Sequence, residues 1–108
     1  MRKVMVYRNG ELAGELIQEN PGSYIFRYCD SYLLNDSLPA ISLTLPKNRK
    51  EFRSEFLFPF FFNMLSEGVN RKLQSRLLKI DEKDYFGLLA ETAKYDTIGP
   101  ITIKASRE

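Results

Sequence analysis

The chain contains no histidine and no tryptophan, and Cys29 is its only cysteine. These absences remove whole classes of chemistry. A zinc site needs Cys or His in pairs, and the Ser-His-Asp and Cys-His nucleophilic arrangements need an imidazole. One cysteine forms no internal disulfide, whereas small secreted domains usually carry several. Cys29 stands beside Tyr28 and Asp30, with no imidazole to lower its pKa, so it is expected to be a small, partly buried hydrophobe. Glycine is sparse too. Gly10, Gly14, Gly22, Gly68, Gly87 and Gly99 lie too far apart for a dinucleotide fingerprint, and none precedes a lysine as a P-loop requires. The longest apolar stretch, Phe56 to Phe62, is interrupted by Pro59 and falls far short of a bilayer span. The basic start Met1-Arg2-Lys3 is followed by an apolar run that breaks at Arg8, too short for a signal peptide. A cytoplasmic protein without a membrane segment is the expectation. With 16 basic against 14 acidic residues the net charge is +2, too weak a bias to imply nucleic acid by itself.

What is present suits one globular domain spanning residues 1–108. Hydrophobic residues make up 44% of the chain, and eight Phe with six Tyr supply bulk for a core. Lys3 to Tyr7 alternates and is rich in Val, and Asn9-Gly10 then gives the strongest short hairpin signal. Glu11 to Gln18 reads as the partner strand, with Gly14 as a bulge or a point of close backbone approach. Asn20-Pro21-Gly22 makes a second turn before a strand from Ser23 to Tyr28, with Tyr24, Phe26 and Tyr28 on one face. Asp30 to Pro39 is polar and turn-rich. Ile41 to Leu45 alternates strictly and reads as a fourth strand, followed by a charged loop over Lys47 to Glu51.

The period then becomes helical. Pro59 fits the first turn of a helix and Gly68 its end. Val69, Leu73, Leu77 and Ile80 follow at amphipathic spacing. Asp81 with Asp84 resembles a capping box, opening a helix through Tyr85, Leu88, Leu89 and Thr92. Ile98 to Ile103 closes as a strand after Gly99-Pro100. The fold class predicted is α+β: a small antiparallel sheet or partly open barrel of about five strands, packed with about three helices. The carboxylates of Asp81, Glu82 and Asp84 are read as helix-start residues favoured by the macrodipole, and Glu51 and Glu55 as loop or helix-start residues. No catalytic residue, metal ligand or cofactor is assigned.

Two features point to binding. At 100° per residue, Phe60, Met64, Phe61, Leu65 and Phe62 sweep about 200°, wider than one core-facing stripe. Such a helix is either sandwiched within its own domain or shows a second apolar face to a partner. In the next helix Arg71, Lys72, Ser75, Arg76 and Lys79 form a polar, mostly basic face opposite the apolar one. That face is either solvated or aimed at phosphates or acidic side chains.

The block Ile41-Ser42-Leu43-Thr44-Leu45-Pro46, followed by Pro59 to Gly68 and Arg71, resembles the N-terminal subdomain of HipA-type kinases, the toxins of bacterial toxin–antitoxin modules. Asn9-Gly10-Glu11-Leu12-Ala13-Gly14, Asp84 to Ala90 and Asp96-Thr97-Ile98-Gly99 resemble further motifs of that family. Phe62 stands where the family helix carries Asp, Ser66 where it carries Pro, and Glu91 to Tyr95 replaces a Gly-rich segment. The resemblance implies a non-enzymatic subunit that docks on a HipA-like kinase core encoded as a separate chain and restrains it, with a helix-turn-helix repressor as a further member of the complex. It places partner binding on Phe58, Phe62, Asn63, Ser66, Glu67 and Arg71. The alternative is a nucleic-acid-binding accessory domain using the basic face of the 69–80 helix.

Overall fold

A computed structural model describes residues 1–65, 68–92 and 100–105. Five strands form one antiparallel sheet: β1 (Arg2–Arg8), β2 (Glu11–Asn20), β3 (Ser23–Tyr28), β4 (Glu51–Ser54) and β5 (Ile101–Ala105), in the order β4-β3-β2-β1-β5. Among the described residues four helices accompany it: α1 (Asp30–Leu33), α2 (Pro59–Phe62), α3 (Gly68–Leu78) and α4 (Tyr85–Thr92). The predicted α+β class and strand number stand, and the short α1 is the added helix.

The β1–β2 turn takes positive φ at both Asn9 (49°) and Gly10 (83°), the requirement that made this dipeptide a hairpin signal. Gly14 is the point of close backbone approach expected of it, and the bulge falls at the neighbouring Ala13. The β1–β2 register slips between Val6 and Tyr7, so that Val6 faces Gly14 while Tyr7 faces Leu12. A Cβ on Gly14 would collide with the carbonyl oxygen of Arg27 on β3. Ladder pairing sorts the sheet into two faces. Val4 and Val6, Leu16, Tyr24, Phe26 and Tyr28, Phe52, and Ile101 and Ile103 share one face and are all buried. The opposite face carries a charge ladder across four strands: Lys3 to Glu15 (3.4 Å), Glu15 to Arg27 (2.9 Å), Arg27 to Glu51 (2.9 Å) and Glu51 to Arg53 (2.9 Å).

Three readings require correction. Ile41 to Leu45 is not a strand. Ile41 and Leu45 are both buried while Leu43 is fully exposed, and the segment wraps the Tyr28 hydroxyl. That hydroxyl accepts from the Ile41 N–H (3.1 Å) and donates to the Leu45 carbonyl. Ser42 Oγ accepts from the Thr44 N–H (3.2 Å), a local bond that competes with ladder pairing. The fourth strand is instead Glu51–Ser54, which shares only Glu51 with the charged loop expected over Lys47 to Glu51. Phe52 is the only buried residue of this edge strand, so hydrophobic alternation was too faint to see.

The second correction concerns the aromatic helix. Helix α2 has Pro59 at its first turn as predicted, but ends at Phe62, and Gly68 begins α3 instead of ending α2. Beyond Phe62 the chain tightens to i→i+3 bonds, Met64 N–H to the Phe61 carbonyl (3.0 Å) and Leu65 N–H to the Phe62 carbonyl (3.0 Å). The wide arc is therefore absorbed at home. Phe61, Met64 and Leu65 are buried, and Phe60 and Phe62 pack against the core.

The third is the orientation of α3. Leu73 (49% exposed) and Leu77 (72%) face outward, while Arg71 and Ser75 of the expected basic face are partly buried. The C-terminus of α3 explains part of this. Lys79 takes φ +57°, the Ile80 N–H donates to the Ser75 carbonyl (3.0 Å), and Ser75 Oγ donates to the Ile80 carbonyl. This is a Schellman-type stop built on Lys79 and tied inward by Ser75. The predicted strand residues Ile98 and Gly99 lie outside the described residues.

Candidate functional site

The elements that meet beyond the inner face of the sheet are α2, α3 and the start of α4. Asp84 caps α4, accepting the Gly87 N–H on Oδ1 (3.1 Å), while Asp81 accepts from the Lys83 N–H (2.8 Å) one turn earlier. The cap is thus Asp84, and Asp81 shapes the turn that leads to it. Tyr85, the first residue of α4, meets the Phe62 ring edge-to-face, with centroids 5.2 Å apart and planes at 83°. The Arg71 guanidinium lies over both rings, 5.6 Å from the Phe62 centroid and 5.7 Å from that of Tyr85. Its Nε–H is buried and donates to no partner among the described residues. Arg71 is thus placed over two aromatic quadrupoles.

Beside this cluster runs a groove made of two adjoining hollows. One, of about 280 Å3, is lined by Phe62, Tyr85, Leu57 and the 75%-exposed Phe56. The other, of about 360 Å3, extends along Gln18 to Arg2 and Asp84. Pro21, Tyr24, Lys83 and Tyr85 line both. The Arg2 guanidinium bonds Asp84 and holds its carboxyl below the usual value, against the opposing effect of burial, with the Gly87 N–H adding to the depression. Glu51 is likewise lowered by Arg27 and then Arg53. Both carboxylates are committed to structural ion pairs. Burial first, then the carboxylates of Glu15 and Asp30, push the Cys29 thiol up, opposite to what a nucleophile needs. Among the described residues, no three metal-ligating side chains stand together and no helix is long and apolar enough to cross a membrane.

The residues expected to bind a partner fall into three groups. Phe58 is 8% exposed and packs edge-on to Phe61 at 6.4 Å, so it belongs to the domain's own core. Phe62 and Arg71 are brought together, and Asn63 is exposed beside them. Ser66 and Glu67 lie outside the described residues. Tyr85 was missed as a site residue, because a helix-start tyrosine carries no signal until α2 and α3 are placed against it. Phe56 and Lys83 were missed for the same reason.

Against known proteins, the family model of the HipA N-terminal domain matches residues 4–104. A protein of Sinorhizobium fredii (strain NBRC 101917 / NGR234) named "Putative kinase Y4mE" is 27% identical over 89 residues, covering 82% of this chain and 21% of that protein. The chain thus spans about a fifth of the length of that relative. An "Uncharacterized protein" of Haemophilus influenzae (strain ATCC 51907 / DSM 11121 / KW20 / Rd) is 28% identical over 108 residues, covering 100% of this chain and 96% of that one. A solved structure described as "N-terminal domain of HipA toxin" superposes with a TM-score of 0.72 at 24% identity, covering 100% of this chain and 95% of that chain. The fold is shared.

Proposed function

The chain belongs to the HipA N-terminal domain family, and on that premise we propose that it is a non-enzymatic binding subunit of a bacterial toxin–antitoxin module, docking on a separate HipA-like kinase chain and restraining it. The observation that carries this reading is a contrast in length between relatives. The same domain matches only 21% of a protein named as a kinase, yet 96% of the Haemophilus influenzae protein. On this reading a domain that makes up a fifth of a chain named as a kinase acts here as a separate subunit. The exposed Asn63, the Phe62–Arg71–Tyr85 cluster and the groove beside it supply aromatic and Arg groups of the kind that anchor interfaces.

Restraint requires that the subunit bind the inactive arrangement of the kinase more tightly than the active one. A helix-turn-helix repressor completes the complex in this reading. The test is to purify a HipA-like kinase core chain from the same organism and to follow its autophosphorylation with and without the subunit. Stoichiometric binding with a fall in autophosphorylation is expected. Binding without any change in rate would leave a structural subunit, and no binding would remove the reading.

A further inference from the structure

The outward face of α3 is where the local pattern and the tertiary structure disagree most. Leu73 and Leu77 are four residues apart, hence neighbours on one face of the helix, and both are turned to solvent. Arg71, held over the Phe62 and Tyr85 rings, and Ser75, bonded to the Ile80 carbonyl, occupy the inward side. At 100° per residue Arg76 and Lys72 follow Leu73 around one flank, and both are exposed. The segment Gly68–Leu78 contains three basic residues and no acidic one. A helix that shows its leucines and hides an arginine breaks the rule that apolar stripes face the core, and such breaks concentrate at functional surfaces.

We propose that this face of α3, the Leu73–Leu77 pair flanked by Lys72 and Arg76, seats on a surface of the kinase chain that carries carboxylates around an apolar hollow. The inference deepens the docking reading above and rests on it. Charge complementarity selects the occupant, because a basic flank without acidic residues on its helix recognises an acidic one. Nucleic acid fits less well. An uncharged pair holds the centre of the face, where phosphates would need cations. The Glu82 carboxylate also shares the hollow lined by Lys72, Ser75 and Arg76.

The experiment measures binding of the intact chain to its kinase chain by calorimetry, for the native protein and two double variants. Leu73→Gln with Leu77→Gln keeps helix propensity and removes the apolar pair. Lys72→Glu with Arg76→Glu reverses the flank. The first should weaken binding by about thirtyfold, as loss of interface anchors does. The second should weaken it about tenfold or more and invert the salt dependence expected of the native protein between about 50 and 500 mM, because the new carboxylates repel those of the kinase. Circular dichroism should be unchanged for both, since all four side chains are exposed. If one double variant misfolds, the single Leu77→Gln, at the more exposed leucine, carries the test. Native affinity in both double variants overturns the inference and leaves the docking reading intact. No binding by the native chain removes both. Salt-sensitive binding of the native chain to duplex DNA or anionic vesicles, lost in the charge reversal while kinase binding persists, also overturns it.

Discussion

The Arg2 guanidinium grips the Asp84 carboxylate with both terminal nitrogens, Nη1 to Oδ2 at 3.0 Å and Nη2 to Oδ1 at 2.7 Å, joining the first strand to the cap of the last helix. Arg2 also donates from Nε to Gln18 on β2 (2.8 Å), and Gln18 donates to the Tyr24 hydroxyl on β3 (3.1 Å). Three strands and α4 are thereby linked along one wall of the groove. Asp84→Ala removes a cap and an ion-pair partner together. A cap contributes about 1 kcal/mol and a half-exposed pair at most about 1 kcal/mol more. The thermal midpoint should fall by roughly 5–10 °C. Asp84→Asn, which retains a capping oxygen, should cost about half as much.

The same pair sets an acid limb. The folded Asp84 pKa lies below its unfolded value, so its contribution is present above the ordinary aspartate range, near about 4, and is lost as pH falls through the folded pKa. Urea midpoints measured from pH 6 downward should be flat and then decline below about pH 4. Asp84→Asn should shallow that decline. An identical decline in the variant would assign it to other carboxylates, with Glu51 on the charge ladder the next to test.

Phe61 and Phe62 should separate sharply. Phe61 is fully buried between Phe26, Phe58 and Phe60, so Phe61→Asp should fail to fold. Phe62→Asp should fold, because the new carboxylate arises beneath the Arg71 guanidinium. Its cost should rise by about 0.5–1 kcal/mol when Arg71→Met is added, measured as a double-mutant cycle. Zero coupling would mean that the guanidinium does not reach the replaced side chain.

Gly14→Ala should destabilise the sheet by about 2 kcal/mol or more, since its Cβ would press on the Arg27 carbonyl and come within 3.0 Å of Phe26 Cζ. Gly22→Ala supplies the contrast. Its nearest neighbour would be Asn20 Oδ1 at 3.7 Å and its φ is not positive, so a change between zero and about 1 kcal/mol of stabilisation is expected in denaturant titrations.

Lys79→Gly should stabilise the protein by about 0.5–1 kcal/mol. The left-handed φ that ends α3 is strained for lysine and free for glycine. A loss of stability on calorimetric unfolding would show that the lysine side chain contributes more than its backbone strain costs.

Local chemistry was legible from the residues alone. Asn9-Gly10 demands a two-residue hairpin because few dipeptides accept positive φ twice, and Pro59 can begin a helix but not continue one. Gly14 marked the tight approach of β2 to the β3 backbone. The lack of His and the scattering of Gly excluded the common catalytic frameworks, and the spread of motifs from Asn9 to Gly99 pointed to the family. Partners in space were not legible. Ile41 to Leu45 alternates as a strand should, but no ladder is offered to it. The free edge of β3 takes Glu51–Ser54 instead, through pairs such as Phe26 with Phe52. Helix α3 shows the same limit. Periodicity states which of its residues share a face, but the direction of that face is decided by what lies opposite. Here Phe62 and Tyr85, brought together by α2 and α4, hold Arg71 inward and leave Leu73 and Leu77 in solvent.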